Sequence, residues 1–418
     1  MKKSVLMLLS LFMVVSTWSQ TISWKIDSIS IKGNKRSKTD LILNELTFVP
    51  GDVVDTTEVE QSIQFIRNRE LFSQVEWNLV ELSDTSTILD IEVRDKWTLY
   101  PILYFSGTGT SAQYRAGVMD WNFLGRGIYF LASYGLKTED GLKPKHIFEL
   151  EADYQRIGGS RWGIDFGAYS KASTGYILQD NLETGSYESN SHQLNLGMSY
   201  NHKNLIIPNF SLGYQEDLLS DITNENLQKS TWSRHRLFKV TTGIKLDLLQ
   251  VVDHRNKGVS ASFEYSIYRD LSRSTYSDLK ATVQLHALSR NGLFFAILQG
   301  KTNLSNASEL LYKPTFESFL RGSTGKAYFY NHIVGGNLEL GITPIQKKWL
   351  TLDLVLVTDL GYGWNRFSEN NPEPFRYRYG SGIRFSWPSM KGMLLSVDVV
   401  KNEYGQFETL FGAVRFLD

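Results

Sequence analysis

The 418-residue sequence contains no cysteine, which excludes disulfide bonds and thiolate metal sites. Lysine and arginine (44) balance aspartate and glutamate (44), so the net charge of 0 gives no indication of nucleic-acid binding or of a polybasic membrane contact. Beyond the N-terminus, no apolar run approaches the ~18 residues of a helical membrane span. If the chain crosses a membrane, it does so as strands.

The only apolar run of note lies at the N-terminus. It extends from Val5 to Val15, follows Lys2 and Lys3, and is succeeded by the small residues Thr17 and Ser19. A short basic segment, an apolar stretch and small residues are typical of a secretory signal peptide. We predict a signal peptide over residues 1–19, with Gln20 as the mature N-terminus.

Residues 22–96 mix strand and helix patterns. The first strand ends at the turn Gly33-Asn34, and Ser37-x-x-Asp40 predicts a capping box for a first helix. A second helix is expected after Asp55, because three apolar residues follow at the spacing of one buried helix face: Val59, Ile63 and Ile66. Strands over residues 75–81 and 88–94 complete a predicted β-α-α-β-β module.

This order of elements resembles a POTRA domain, as do Pro50-Gly51-Asp52 and the step from Leu71-Phe72 into Val75. The alternative is a generic α+β module without a partner. Residues 97–110 are interpreted as a connector to the rest of the chain, with a further strand over Trp97 to Gly107 as the alternative.

From residue 111 to residue 418 the sequence alternates strictly between apolar and polar residues, in segments of about ten residues. For example, Phe148 and Leu150 alternate with Glu149 and Glu151. One face suits lipid and the other suits water. A soluble sandwich also alternates, but some 300 residues without a helical interruption, after a signal peptide, favour a closed membrane barrel.

The predicted fold is therefore mainly β, a transmembrane antiparallel barrel of about 16 strands after one small α+β domain. Predicted strands start near Ser111, Gly127, Lys145, Ser160, Thr174, Ser191, Ile206, Phe238, Gly258, Asp278, Gly292, Asn331, Thr351, Arg376, Gly392 and Gln406.

Three motifs in the barrel resemble the BamA/TamA family of outer-membrane assembly and translocation barrels. The first is the turn Asn122-Phe-Leu-Gly125-Arg-Gly127, similar to the family's Asn-Leu-x-Gly-x-Gly turn. The second is Leu320-Arg321-Gly322, similar to the Val-Arg-Gly-aromatic tip of the family's inward loop, here about residues 302–330, with Leu for Val and Ser323 for the aromatic.

The third motif, Val357-Thr-Asp359-Leu-Gly361, resembles the strand whose acid receives that loop arginine. The resemblance implies an Arg321–Asp359 pair that fixes the loop on the barrel wall. Arginine can bond a carboxylate through two parallel hydrogen bonds, and we expect this geometry here. The alternative is an exposed arginine on a surface loop.

The last strand resembles the terminal assembly signal of outer-membrane barrels, in which an aromatic ends the chain. Its residues on one face are Leu410, Gly412, Val414 and Phe416, and Leu417 and Asp418 follow as a two-residue overhang. By resemblance, a seam that opens laterally would lie between residues 111–120 and 406–417.

The resemblance implies that the protein inserts outer-membrane proteins or translocates proteins. It also implies that the barrel lies in the outer membrane of a Gram-negative bacterium, with the first domain in the periplasm. Expected partners are unfolded client proteins, periplasmic or lipoprotein accessory proteins and membrane lipid. A passive pore is the main alternative. A barrel enzyme is less favoured, because neither Gly-x-Ser-x-Gly nor His-Glu-x-x-His occurs and the 7 histidines lack ligand spacing. We expect no catalytic residue, metal or cofactor.

Overall fold

The structure, a computed structural model, describes residues 23–412 except 84–85, 108–110, 140–143, 180–181, 221–233, 253–254, 272–274, 309–311, 322–325, 328, 366–374 and 392–393. A small N-terminal domain precedes a closed β-barrel. In these ranges no helix is long and apolar enough to span a membrane. The predicted signal peptide lies outside the described residues.

The N-terminal domain packs two helices on a four-stranded sheet. Its elements are β1 (Ser23–Lys32), α1 (Thr39–Leu43), β2 (Val53–Asp55), α2 (Thr56–Asn68), β3 (Phe72–Ser83) and β4 (Ser86–Asp95). The strand order in the sheet is β2-β1-β4-β3, and β1 and β4 are parallel. The second helix is confirmed: Val59, Ile63 and Ile66 are fully buried, and the Asp55 side chain accepts the Glu58 N–H at its N-terminus.

Two details of the predicted module are wrong. Residues 53–55 form a strand, β2, which pairs with the start of β1, so the order is β-α-β-α-β-β. Ser37 does not cap α1, because its hydroxyl instead donates to Asp95 Oδ1 at 2.6 Å and Lys38 occupies the N-cap position without a side-chain bond. A tertiary hydrogen bond has replaced the local one that the sequence pattern suggested.

Sixteen long strands form the barrel wall in the described ranges, and each is antiparallel to its described neighbours. They are β5 (Leu99–Gly107), β6 (Ser111–Phe123), β7 (Ile128–Glu139), β8 (Lys145–Tyr154), β9 (Trp162–Gln179), β10 (Leu182–Tyr200), β11 (Ile206–Ser220), β12 (Arg234–Asp247), β14 (Arg255–Asp270), β15 (Thr275–Leu288), β16 (Phe294–Ser305), β18 (His332–Gln346), β19 (Thr351–Trp364), β20 (Phe375–Ser386), β21 (Leu394–Asn402) and β22 (Phe407–Gly412). Short pieces are β13 (Gln250–Val252), β17 (Lys326–Ala327) and the 3-10 turns Ile157–Gly159 and Phe316–Ser318.

The predicted number of barrel strands agrees with the structure because two errors compensate each other. The segment interpreted as a connector contains β5, which pairs with β6 from Leu99↔Asp120 to Gly107↔Ala112 and closes the barrel against β22. This pairing is a tertiary property that the residues of β5 do not reveal. Conversely, the three strands predicted from Ser160, Thr174 and Ser191 are two long strands, β9 and β10.

The predicted faces are confirmed. Phe148 and Leu150 are exposed on the outside of the barrel, whereas Glu149 points inward to an ion pair with Arg115 at 2.8 Å. The same alternation places Leu194, Leu196 and Met198 on the outer face. The barrel thus has an apolar exterior and a charged lumen, as expected of a membrane barrel.

The N-terminal domain sits at one end of the barrel, which we call the domain end. It contacts the turns after β6, β8, β12 and β20 there. The opposite end, called the far end, carries the connection from β16 to β18, residues 306–331. This connection, the inward loop, begins four residues later than predicted, because β16 continues to Ser305.

Candidate functional site

The inward loop is anchored on β18 and β19 by a buried apolar cluster. Its members are 0–2% exposed: Phe316, Phe319, Leu320, Tyr330 and Ile333. Glycines on the wall make room for them. A Cβ on Gly361 would lie 2.6 Å from the Phe316 ring, and one on Gly363 would lie 2.5 Å from the Tyr330 ring. The aromatic rings therefore rest on bare backbone, and a side chain at either glycine would displace the loop.

Arg321 and Asp359 come together, but in a different geometry from the expected one. Asp359 Oδ2 accepts the main-chain N–H of Arg321 at 3.0 Å, while the guanidinium Nε lies 3.8 Å away. The other oxygen of Asp359 accepts from Asn337 Nδ2 at 2.9 Å, and the same amide donates to Phe319 O at 2.7 Å. The guanidinium and the carboxylate thus form a loose ion pair without two parallel hydrogen bonds, and Asp359 mainly fixes the backbone of the loop tip.

The Arg321 guanidinium, in a residue that is 1% exposed, instead points towards β18. Its Nη2 lies 3.4 Å from Glu339 Oε2, which also accepts from Arg384 Nη2 at 3.1 Å. Arg384 in turn bonds both oxygens of Asp398 on β21, at 2.6 and 3.2 Å. Buried charges are tolerated only when paired and hydrogen-bonded. This chain of ion pairs therefore makes the loop tip part of the wall.

A second arginine of β20 links the loop tip to the last strand. Arg378 Nη1 donates to the main-chain oxygen of Arg321 and, at 2.8 Å, to Glu408 Oε2 on β22. Glu408 is also reached by Asn402 Nδ2, which donates to its Oε1 at 3.3 Å. The loop tip and β22 thus share one hydrogen-bonding group.

The inward loop is also held by strands other than β18 and β19. Tyr312 OH lies 2.7 Å from His235 Nδ1 and 3.1 Å from Asp270 Oδ2, and its ring stacks on Tyr276. Strand β17 of the loop pairs in parallel with β9. The paired residues of β9 lie beyond its last pair with β8, Phe148↔Ser170, so the loop contacts the far-end extension of β9 as well as β18 and β19.

The turn motif Asn122–Gly127 joins the N-terminal domain to the barrel. Asn122 Nδ2 donates to Ser37 Oγ at 2.9 Å, and Gly125 O accepts the Lys38 N–H at 2.8 Å. Gly125 has φ +72°, and a Cβ there would lie 2.3 Å from the main-chain oxygen of Arg36. The motif is the turn after β6, the second barrel strand, because β5 precedes it. Its glycine allows close approach of the domain.

Further bonds hold the domain across the domain end. Glu45 lies between Arg69 and Arg156, at 3.4 and 3.3 Å, and Arg156 belongs to the turn after β8. On α2, the Asn68 amide donates to Leu249 O and accepts from Val251 N, both at 3.0 Å. The turns after β6 and β12, which both contact the domain, are six strands apart in the wall, so the domain spans the opening.

Lys391, in the turn after β20, is half-buried at this junction. Its Nζ donates to Arg69 O at 2.7 Å and lies 5.2 Å from the centre of the Trp121 ring. Burial lowers the pKa of Lys391 to about 8, with a partial offset from Glu70. Burial lowers the pKa of Lys96 as well. The junction therefore holds two lysines that are easier to deprotonate when the domain is docked.

The seam between β22 and β5 has uncovered outer residues. Leu103 on β5 is 83% exposed, and Phe407 and Phe411 on β22 are 72% and 80% exposed, the three highest values for large apolar side chains in the described chain. Elsewhere on the outer face, neighbouring strands cover such residues more fully. The seam thus differs from the predicted one, because its first strand is β5 and not residues 111–120.

Only the first part of the predicted terminal signal lies in the described strand β22. Phe407, Thr409 and Phe411 are exposed on the outer face, whereas Leu410 turns inward and packs on the buried cluster that includes Val400. Gly412 ends the described strand. Val414 and Phe416, like Gly322 at the loop tip, lie outside the described residues.

Sequence reasoning missed Asn337, Glu339, Arg378, Arg384 and Glu408. A signal was present on β20, where Phe375-Arg-Tyr-Arg-Tyr alternates arginine with aromatic residues. Such alternation places the arginines on the lumen face. In the described ranges, no group of three or more His, Cys, Asp or Glu side chains is arranged to hold a metal ion.

Comparison with known proteins agrees with this architecture. Residues 24–96 match the family described as POTRA, Surface antigen variable number repeat. Residues 24–96 are a POTRA domain. This domain and the barrel together are similar in fold to solved structures, three of which are described below. No curated protein matches the chain significantly.

The structural similarity spans nearly the whole chain. BamA from Haemophilus ducreyi lacking POTRA domains 1-3 is 14% identical with a TM-score of 0.53, over 93% of this chain and 84% of that one. CdiB from Acinetobacter baumannii is 12% identical with a TM-score of 0.61, over 93% and 73%. CdiB from Escherichia coli is 12% identical with a TM-score of 0.57, over 93% and 75%. At these identities the likeness is one of fold: a BamA- and CdiB-like barrel with one POTRA domain.

Proposed function

We propose that this chain is a protein of the Gram-negative outer membrane that inserts other outer-membrane proteins or translocates proteins. The POTRA domain then lies in the periplasm, and unfolded client proteins are the partners, with periplasmic or lipoprotein accessory proteins. The observation that carries this proposal is the link from the inward loop, through Arg378, to the last strand beside an uncovered seam.

The seam is suited to lateral opening. Closed barrels span lipid because every backbone donor and acceptor is paired within the wall. Separation of β5 from β22 would expose two strand edges, and a client strand could pair with them by β-augmentation. Pro101 on β5 supports this reading, since proline cannot donate to a neighbouring strand and is found mainly at sheet edges.

The POTRA domain offers a second edge. Strand β3 is the outermost strand of its sheet and is 12 residues long. An extended segment of a client or of an accessory protein could add to it before reaching the barrel. No covalent chemistry, nucleotide or metal takes part in the proposed cycle.

A passive pore needs an open lumen. Here the tip of the inward loop is fixed to lumen-facing side chains and the POTRA domain spans the domain end, which argues against free diffusion through the barrel. Single-channel conductance separates the two functions: a large, steady conductance would contradict the assembly proposal.

The absence of cysteine allows a direct test of the seam. We would combine Leu103→Cys with Phe407→Cys, Thr409→Cys or Phe411→Cys, select the pair that crosslinks, and measure insertion of an unfolded barrel client into liposomes. The matched control is Leu150→Cys with Ala168→Cys, partners on the outer face of β8 and β9 away from the seam. Seam locking should abolish insertion, and the control lock should not.

Unchanged insertion with the seam locked would contradict lateral opening and favour passage through the lumen. Depletion of the protein followed by an outer-membrane proteome then separates the two client classes. Broad loss of barrel proteins indicates a general insertase, and loss of one protein indicates a dedicated partner.

A further inference from the structure

A groove of about 400 Å³ lies on the outer face of the barrel where the POTRA domain meets it. Its apolar wall comes from the first three strands and the turn after β6: Leu99, Val118, Phe123, Leu124 and Phe130. Its floor is polar, formed by Arg36 and Lys38 of the POTRA domain and by Asp120 of β6. The groove is therefore apolar along the barrel and cationic towards the POTRA domain.

The groove lies at the edge of the apolar belt. Leu99, Asp120 and Phe130 are direct cross-strand neighbours and form one row on the outer face. Further along the same face of β6 come Val118, Ala116 and Tyr114, so Asp120 is where the outer face of β6 first carries a charge at the domain end. This level corresponds to the headgroups of the leaflet on the domain side, where basic side chains favour anionic lipid.

Both cations, Arg36 and Lys38, have N–H groups that a ligand could bind. Arg36 Nη2 bonds Asp120 Oδ2 at 2.5 Å, and the guanidinium has further N–H groups and a side chain that is 33% exposed. The Lys38 side chain is exposed, and within the described chain its ammonium has no hydrogen-bonding partner. Two cations against one carboxylate leave the floor with a net positive charge. Arginine and lysine both bind phosphate, arginine through its planar fork.

We propose that this groove binds one phospholipid of the leaflet on the domain side, with its phosphate on Arg36 and Lys38. An acyl chain would lie along Leu99, Val118 and the stacked rings of Phe123 and Phe130, whose centroids are 4.6 Å apart. The site touches both β5, a seam strand, and the POTRA domain. It is independent of the client and would exist whether the barrel inserts proteins or translocates them.

The test uses the full chain labelled at one introduced cysteine. Leu124→Cys, at the groove, carries a photoactivatable benzophenone in phosphatidylcholine vesicles that contain increasing amounts of phosphatidylglycerol. Trp349→Cys is the matched position, because it lies in another turn of the domain end, has nearly the same exposure (65% against 64%) and follows two lysines outside the groove. Capture of phosphatidylglycerol should saturate at position 124 and rise linearly at position 349.

Two variants probe the two halves of the groove without breaking the Arg36–Asp120 pair. Lys38→Gln should raise the half-saturating phosphatidylglycerol content about fivefold, as expected for one interfacial cation. Val118→Phe should fill the groove and remove the saturable capture. Lys35→Gln, an equal charge change outside the groove, should have no effect, and heat-modifiable migration in gels would verify that each barrel is folded.

Three results would overturn the proposal. Linear capture at position 124 would mean general enrichment of anionic lipid. Saturable capture that survives both Lys38→Gln and Val118→Phe would place the lipid elsewhere. Equal loss of saturable capture with Lys35→Gln and with Lys38→Gln would show that net charge, and not the groove, retains the lipid.

Discussion

Arg378 holds Arg321 and Glu408 together: one nitrogen of its guanidinium donates both to the main-chain oxygen of Arg321 and to the carboxylate of Glu408. The first acceptor belongs to the tip of the inward loop and the second to the last barrel strand. A displacement of either element therefore leaves a buried guanidinium with a lost partner, which is costly. Under the proposed function, this arginine couples the position of the loop to the state of the seam.

Arg378→Met should loosen β22. Loss of the guanidinium leaves Glu408 and the loop-tip carbonyl without this donor, at a cost of about 3 to 5 kcal/mol. We expect faster crosslinking between cysteines at positions 103 and 411 across the seam. Arg255→Met is the control, because Arg255 is equally buried and bonds Thr343 on β18 and Asp353 on β19. Equal crosslinking rates in both variants would contradict the coupling.

Arg321→Ala and Asp359→Asn should impair client insertion without additivity, because each substitution releases the same loop tip from the wall. The geometry adds a distinction. Asp359→Asn weakens the grip on the loop backbone, whereas Arg321→Ala leaves that N–H in place and removes the contact with Glu339. The measurement is a double-mutant cycle on insertion rates, and fully additive losses would show that the two residues act separately.

Sequence alone predicts the faces of the strands well, for a local reason. Each residue of a membrane barrel faces either lipid or lumen, so Phe148 and Glu149 carry their environment in their own chemistry. The second POTRA helix was predictable on the same grounds, since Ile63 and Ile66 repeat with the helix period. Turn glycines such as Gly125 could also be identified from the sequence. That Gly125 must be small because the POTRA domain packs against it could not be identified.

The pairing of the site was less predictable, because it depends on which strands become neighbours. Arg321, Glu339 and Arg384 come from a loop and two strands that are separated along the chain, and no local pattern selects Glu339 over Asp359 as the nearer carboxylate of the guanidinium. From sequence alone, the first strand is assigned to the connector, because its pairing with both the second and the last strand is a tertiary property that its own residues do not reveal. The conversion of Ser37 from a helix cap to a partner of Asp95 is likewise a tertiary choice.

Gly361→Ala should push the inward loop off the wall. Its Cβ would lie 2.6 Å from the Phe316 ring, and overpacking of this kind costs about 1 to 3 kcal/mol. We expect a higher single-channel conductance in planar bilayers as the loop leaves the lumen. Gly300→Ala, on β16 with nothing within 4 Å of the added Cβ, is the control and should keep the conductance of the unaltered protein. No difference between the variants would mean that the loop does not limit conductance.

Gly125→Ala should weaken docking of the POTRA domain. The added Cβ would meet the main-chain oxygen of Arg36 at 2.3 Å, and the residue also has a positive φ. Gly158→Ala separates these effects, because Gly158 has φ +56° with nothing within 4 Å. We expect a broadened distance distribution between spin labels on the POTRA domain and the barrel for Gly125→Ala only. Broadening in both variants would attribute the effect to backbone strain and not to the contact.

Docking of the POTRA domain should also depend on pH through Lys391. The pKa of this lysine is about 8 in the docked form, against an ordinary value of 10.5, because the junction buries it. Below pH 8 both docked and undocked forms are protonated and the docked form bears the full cost of the buried charge. As the pH rises from about 8 to about 10.5, the docked form loses its proton first and docking strengthens.

The lowered pKa of Lys96 acts in the same direction, so Lys391→Met should flatten this rise without abolishing it. Spin-label distances between the POTRA domain and the barrel, followed across this range, would measure the docked fraction. The Lys391→Met variant should be more docked than the unaltered protein at neutral pH, since methionine fills the site without a charge. A docked fraction that falls as the pH rises would show that the charged ammonium, bonded to Arg69 O and lying over the ring of Trp121, stabilises the junction.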